Sequence, residues 1–193
     1  FALHALVPLI KGFNAQYPEV TIELITHENN VNLLQGDVDL AIRIGALSNS
    51  NLKARKIGET SRILVASPDY IKQHSVPKQV SDLAKHQLIG FSQATQLNSW
   101  PVLLDGQAFQ AKPNSFASSG ETIRHLAIQG NGIACLSTFA VQDDILKGHL
   151  QQVLRVKTQA HKIPIHALYF SDKTANLRLR CFIDYLVEHV NLY

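Results

Sequence analysis

Residues 36–45, GDVDLAIRIG, end an apolar, strand-like run on Arg43 and follow it with Ile44 and Gly45. A guanidinium presents a planar fork of donors, and glycine lets another molecule approach the main chain, so the pair suits an anionic ligand better than a core. The alternative, an ordinary surface pair between Arg43 and an acid such as Asp39, stays open on the sequence. Other chemistries are poorly supplied. Cys135 lies inside the apolar run GIACL and Cys181 inside the periodic segment LRLRCFIDYL, where thiols act as small hydrophobes. A redox pair would need their Cα atoms within about 7 Å. No GxSxG elbow is present, and the nine histidines and two cysteines, His27 and His125 among them, show no paired metal-ligand spacing. Neither an enzyme nor a metal site nor a cofactor is expected.

The elements that must position such an arginine follow from periodicity. Leu3, Leu6, Val7, Ile10, Phe13 and Tyr17 recur at helical spacing, and Pro18 ends that helix. VTIELI, residues 20–25, alternates like a strand; residues 30–35 read as a short helix closed by Gly36, and 38–42 as a buried strand. The order helix, strand, helix, strand predicts an α/β fold with a parallel sheet. Beyond the turn-rich LSNSN, residues 52–66 make one long segment, and SPDYIKQH opens a helix with Ser67 as its cap and Pro68 in its first position. HQLIGF predicts a strand, SWPVLL and AFQA flank the turn Asp105-Gly106, and KPNSFA adds another strand. Ser118-Ser119-Gly120-Glu121 fits a capping box for a helix with Ile123, Leu126 and Ala127 on its apolar face; Gly130 closes it before the strand GIACL. IPIHALYF is a further strand, and Leu177, Cys181, Phe182, Tyr185 and Leu186 mark a terminal amphipathic helix.

At 193 residues the chain can bury one substantial core or two small lobes. Its balance, 46% hydrophobic and 17% charged, is that of a folded globular protein. Eighteen Lys and Arg against fifteen Asp and Glu give a net charge of +3, with the basic residues scattered rather than gathered into a nucleic-acid footprint. No apolar run reaches the roughly 18 residues of a membrane span, and the start FALHALVPLIKGFN lacks signal-peptide features, so a cytoplasmic location is expected. Starting at Phe1 with no methionine, the sequence reads as part of a longer protein.

LVPLIKGFNAQYPEVTIEL, LLQGDVDLAIRIG, LVASPDYI and LAIQGNGIACLS, in this order along nearly the whole chain, resemble successive signature stretches of the effector-binding domain of LysR-type transcriptional regulators. At CLST the chain departs from the family, which more often has a proline there. The resemblance implies a two-lobed α/β fold like the type 2 periplasmic binding proteins, with a cleft between lobes. Lobe I would be residues 1–66 plus 169–193, and lobe II residues 67–168.

In such a fold ligands bind beyond the carboxyl ends of strands, where Arg43, Ile44 and Gly45 stand. Across the cleft the helix start at Ser118 and Ser119 would offer backbone N–H groups and a positive dipole end. Thr26 and Ser67 would add hydroxyls and Phe91 an apolar wall, although each also has an ordinary role as strand end, cap or core. A small anionic or carboxylate-bearing effector is therefore expected. The family implies a homodimer or tetramer, with residues 3–17, 20–25 and 121–129 as candidate interface, and DNA contact only through an N-terminal domain absent from this sequence. A transport system's solute-binding receptor, expected to be monomeric, is the alternative.

Overall fold

The computed structural model describes residues 1–26, 38–47, 51–159, 161–170 and 177–192. The expected helix at 30–35, His27 and most of the LSNSN turn lie outside the described residues. In chain order the strands are β1 (Ala41–Ile44), β2 (Lys53–Thr60), β3 (Arg62–Ala66), β4 (Leu88–Phe91), β5 (Ser99–Leu104), β6 (Gln107–Gln110), β7 (Ser115–Ala117), β8 (Ile133–Ser137), β9 (Gln151–Val153) and β10 (Ile163–Tyr169). The α-helices are α1 (Val7–Gln16), α2 (Pro68–His74), α3 (Gly120–Ile128), α4 (Thr138–Leu146) and α5 (Leu177–His189). Two compact units result: Phe1–Thr60 with Lys162–Tyr193, and Ser61–His161.

In the first unit, a turn of π-helix over Ala2–Leu6 leads into α1. Pro8 has no N–H to return to the preceding turn, which accounts for the wider winding there. The helix stops at Tyr17, one residue before Pro18. Phe13 is fully buried and meets Phe182 and Tyr185 edge-on, with ring centroids 4.9 and 5.3 Å away, so α1 is pinned to α5. The other end of its apolar stripe is uncovered: Leu3 is 59% and Val7 48% exposed. The sheet beside these helices has the order β1-β10-β2 and is antiparallel throughout.

The second unit is built on a mixed sheet of order β7-β4-β8-β3-β9, in which β4 runs parallel to β7 and β8 while β3 runs antiparallel to β8 and β9. The alternation of β3 sends Leu64 and Ala66 into one core layer with Tyr70, Leu83 and Trp100, and Val65 into another with Ile123, Ala127, Val141 and Leu150. The β5-β6 hairpin turns at Asp105 and Gly106, both at positive φ, as the dipeptide predicts. Arg62 ties the start of this hairpin to β3 by donating to the carbonyls of Leu97 and Ser99, each at 2.7 Å.

Several expectations are corrected. Residues 20–25 form no strand ladder with any described neighbour; the Val20 N–H closes a turn on the Tyr17 carbonyl, and alternation without a partner edge yields only extended chain. The parallel sheet holds only for β4, β7 and β8, because β10 returns between β1 and β2 in the opposite sense. The segment 52–66 is two strands, interrupted at Ser61, whose carbonyl accepts the Thr138 N–H instead. Among the described residues β3 pairs only within the second unit and β10 only within the first. At CLST no proline is needed: β8 ends at Ser137, which precedes α4 in extended conformation.

Two cross-ties converge on Gln87. Its carbonyl accepts the Ile133 N–H at 2.9 Å, and its N–H donates to the Tyr70 hydroxyl at 2.9 Å. Tyr70 in turn shares a hydrogen bond with His86 Nδ1 at 3.2 Å, its direction set by the imidazole tautomer. Gly132 makes the close approach to Gln87 possible: its φ is +147°, and a Cβ there would run into the Gln87 carbonyl. Gly132→Ala is therefore expected to destabilise the chain by about 2–4 kcal/mol, measured as a lowered urea midpoint at unchanged slope. Burial, and then nearby His74, hold the His86 pKa below its usual value, with Asp82 opposing. The unfolded chain therefore binds that proton first, so stability is expected to fall as pH drops below about 6.5. Urea titrations at pH 7.5 and 5.5 check this, and His86→Asn, which keeps an acceptor but does not titrate, should flatten the difference.

Candidate functional site

In the first unit β1 carries the basic end foreseen in the sequence. Arg43 is half-buried and stands opposite His166 of β10 in the ladder, and it is not without a partner of its own. Ile44, 39% exposed, ends the strand. Gly45 has φ +108°, a left-handed region that suits glycine, and its N–H donates to the Pro164 carbonyl at 2.9 Å. Among the described residues, its chain neighbours aside, no heavy atom lies within 4 Å of the point where its Cβ would be. Thr26 is exposed in irregular backbone rather than at a strand end.

In the second unit three of the expected residues come together and one does not. Phe91 ends β4, packed partly on the core, and its ring edge lies 3.8 Å from where a Cβ on Gly120 would be. The Ser92 N–H binds the Ala117 carbonyl, so β4, β7 and the start of α3 meet around Phe91, Ser118 and Ser119. Ser119, not Ser118, caps α3, its Oγ accepting the Glu121 N–H at 3.2 Å; Ser118 is left exposed. Ser67 is 3% exposed, caps α2 through the Tyr70 N–H, and lies against Gly130 at the other end of α3. Nine helical residues, about 13 Å of axis, thus separate Ser67 from Ser119.

The expected capping box is replaced by an ion-pair network. Glu121 Oε1 accepts from Arg124 Nη1 at 2.6 Å and lies 3.3 Å from His125 Nε2. Arg124 grips Asp144 of α4 with both prongs, Nε to Oδ2 at 2.6 Å and Nη2 to Oδ1 at 2.8 Å. The Asp144 side chain is only 4% exposed, with His149 at 3.5 Å on its outer side. Burial pushes the Asp144 carboxyl up, but hydrogen bonding and charge from Arg124, with His149, outweigh it and hold the group below the usual range. Arg124, Asp144 and His149 were not found in the sequence. The only signal was an acid, Asp144, at helical spacing from Val141 on the buried side of α4.

Cys135 is buried in β8, and burial raises its pKa to about 12, with Arg62 opposing; Cys181 is half-buried in α5. Among the described residues no group of three or more His, Cys, Asp or Glu could hold a metal ion, and no helix is long and apolar enough to cross a membrane.

The model of the family described as LysR substrate binding domain matches residues 1–191. The HTH-type transcriptional regulator CrgA of Neisseria meningitidis serogroup C is 42% identical over 189 residues, covering 97% of this chain and 63% of CrgA. The solved CrgA regulatory domain superposes with a TM-score of 0.95 at 41% identity, covering 98% of this chain and 94% of that one. The full-length Vibrio cholerae virulence activator AphB, a member of the LTTR protein family, gives a TM-score of 0.80 at 28% identity, over 96% of this chain and 64% of AphB. The chain thus spans less than two thirds of the length of the full regulators it matches.

Removing one partner of the Arg124–Asp144 pair strands a buried charge. Asp144→Asn is expected to cost about 3 kcal/mol of stability, whereas the double variant Arg124→Met, Asp144→Leu should recover most of that loss; denaturant midpoints of the three proteins check it.

Proposed function

From the premise that this chain belongs to the LysR substrate-binding domain family, we propose that it senses a small anionic, carboxylate-bearing effector on behalf of a longer transcriptional regulator. It is the effector-binding domain of a LysR-type regulator, and its relatives are regulators rather than transport receptors. The family match over residues 1–191 carries the regulator reading, and the Arg43-Ile44-Gly45 strand end supports the anionic effector. In the first unit the effector contacts are Thr26, Arg43, Ile44 and Gly45; in the second they are Phe91, Ser118 and Ser119, while Ser67, expected among them, is buried as the cap of α2 at the other end of α3. Glu121 does not oppose an anion with a full charge, because Arg124 partly neutralises it. No chemical step is assigned: the chain acts by binding, in the cytoplasm, with neither metal nor cofactor.

The signal reaches DNA only through differential affinity. An effector that binds one arrangement of the regulator better than another shifts the populations by that difference, typically about 1–3 kcal/mol. The attached N-terminal domain, outside this sequence, makes the DNA contact. Oligomerisation is supported by the uncovered apolar stripe of α1 and the chain after it, where Leu3, Val7, Leu24 and Ile25 are exposed.

Thermal unfolding against a panel of carboxylates, phosphates and aromatic acids tests the effector class. A ligand at 100 times its dissociation constant stabilises the fold by about 2.7 kcal/mol. The expected result is a midpoint shift for a carboxylate in the wild type and not in Arg43→Ala; an equal shift in both removes Arg43 from the site. Sedimentation of the wild type is expected to show a dimer or tetramer that Val7→Asp dissociates.

A further inference from the structure

The second unit carries its positive charge on one side. Its mixed sheet is covered on one face by α3 and α4, and on the other by α2, the 3-10 turn Val80–Lys85, the β5-β6 hairpin and the 3-10 turn Arg155–Lys157. On the α3-α4 side Glu121 and Asp144 meet Arg124, and Asp143 meets Lys147. On the other side Lys72, Lys78, Lys85, Lys112, Arg155 and Lys157 are all exposed, and among the described residues no ion pair or side-chain hydrogen bond engages their charged ends. The acids on that side are Asp69, Asp82 and Asp105, and Asp82 turns its carboxylate to the main-chain N–H groups of Lys78 and Gln79. Cations that look scattered along the sequence are gathered by the fold.

Within this face the turn Arg155–Lys157 differs from its surroundings. Val156, set between two cations, is 95% exposed, more than any other large apolar side chain among the described residues. The turn is held there firmly. Leu154, which precedes it, takes φ +52°, a left-handed conformation that costs a residue with a side chain and persists only where its neighbours impose it. The Leu154 carbonyl accepts the N–H of Lys157 at 2.9 Å, and the N–H and Oγ1 of Thr158, each at 3.0 Å. Beyond the turn, Thr158 bridges to Val102 of β5 and the Gln159 N–H donates to the Pro101 carbonyl at 2.6 Å. The antiparallel sense of that bridge brings Leu103, itself 43% exposed, next to Lys157. A strained turn that holds a bare valine in water gains nothing for the fold, so its compensation comes from outside the chain.

We infer that this turn, with Leu103 beside it, is a docking site for an acidic segment of another protein that carries apolar side chains among its carboxylates. Val156 and Leu103 pack against the apolar side chains, and Arg155 and Lys157 meet the carboxylates on either side. The remaining lysines of the face attract such a segment from a distance and raise the rate of encounter. Because the turn is already fixed by its own hydrogen bonds, docking costs it little conformational freedom. The exposed aliphatic side chains favour a protein over nucleic acid: a phosphate backbone gives Val156 nothing to pack on, and the turn has no aromatic ring for a base to stack on. Pairing of this face with the same face of a second copy would set like charges against one another.

The test is fluorescence anisotropy of short labelled probes titrated with the chain: a peptide of glutamate interspersed with leucine, one of glutamate alone, one of lysine interspersed with leucine, and a DNA duplex. Expected is saturable binding of the glutamate-leucine peptide that falls with added salt, weaker binding of glutamate alone, and none of the lysine peptide. Affinity for the first peptide should weaken about tenfold or more in the double variant Arg155→Glu, Lys157→Glu, and severalfold in Val156→Ser. All three side chains are exposed, so the urea midpoints of these variants should match the wild type and report an intact fold. Absence of saturable binding of the glutamate-leucine peptide overturns the proposal, as does equal affinity in the charge-reversed variant or in Val156→Ser. Binding of the duplex in place of the peptide, lost on charge reversal and unchanged in Val156→Ser, would overturn it and assign the face to nucleic acid. Self-association of the chain that Val156→Ser abolishes, without peptide binding, would overturn it and assign the turn to a second copy.

Discussion

The second unit depends on the grip of Arg124 on Asp144. A carboxylate that is almost fully buried needs its charge met inside the protein, and the two-pronged guanidinium meets it from the facing helix. The same aspartate serves with its main chain: its carbonyl accepts the N–H groups of His149 and Leu150, which turns the chain out of α4 and into β9. One residue pair thereby fixes α3 against α4 and sets where the last strand of the sheet begins. Because Ser119 and Glu121 stand at the start of the same helix, the pair also decides where that helix presents its free N–H groups.

Around this pair the unit is closed by side chains and main chain of very different strength. Arg62 and Tyr70 fasten loops to the sheet through backbone carbonyls and an N–H, while Gly132 is tolerated only because it lacks a side chain. The result is a rigid frame at the carboxyl ends of β4 and β7. The first unit is held differently, by an aromatic cluster of Phe13, Tyr17, Phe182 and Tyr185 between two helices. Among the described residues His166 there keeps a buried Nδ1 with no hydrogen-bond partner.

What the sequence determined by itself was local. Ser67 with Pro68, and Asp105 with Gly106, dictate a cap and a turn through forces that act within four residues, and the structure has both. The apolar periods of α3 and α5 are equally local, and four signature stretches were enough to identify the family. Tertiary structure decided everything that needs a partner. Residues 20–25 have the alternation of a strand but no described edge to pair with, and residues 52–66 look continuous yet are divided between units by the neighbours of each half. Ser119 rather than Ser118 is the cap, and the Glu121 side chain meets Arg124, which meets an aspartate twenty residues away. Spacing cannot show that aspartate, since the energy of a buried charge depends on what faces it and not on what precedes it.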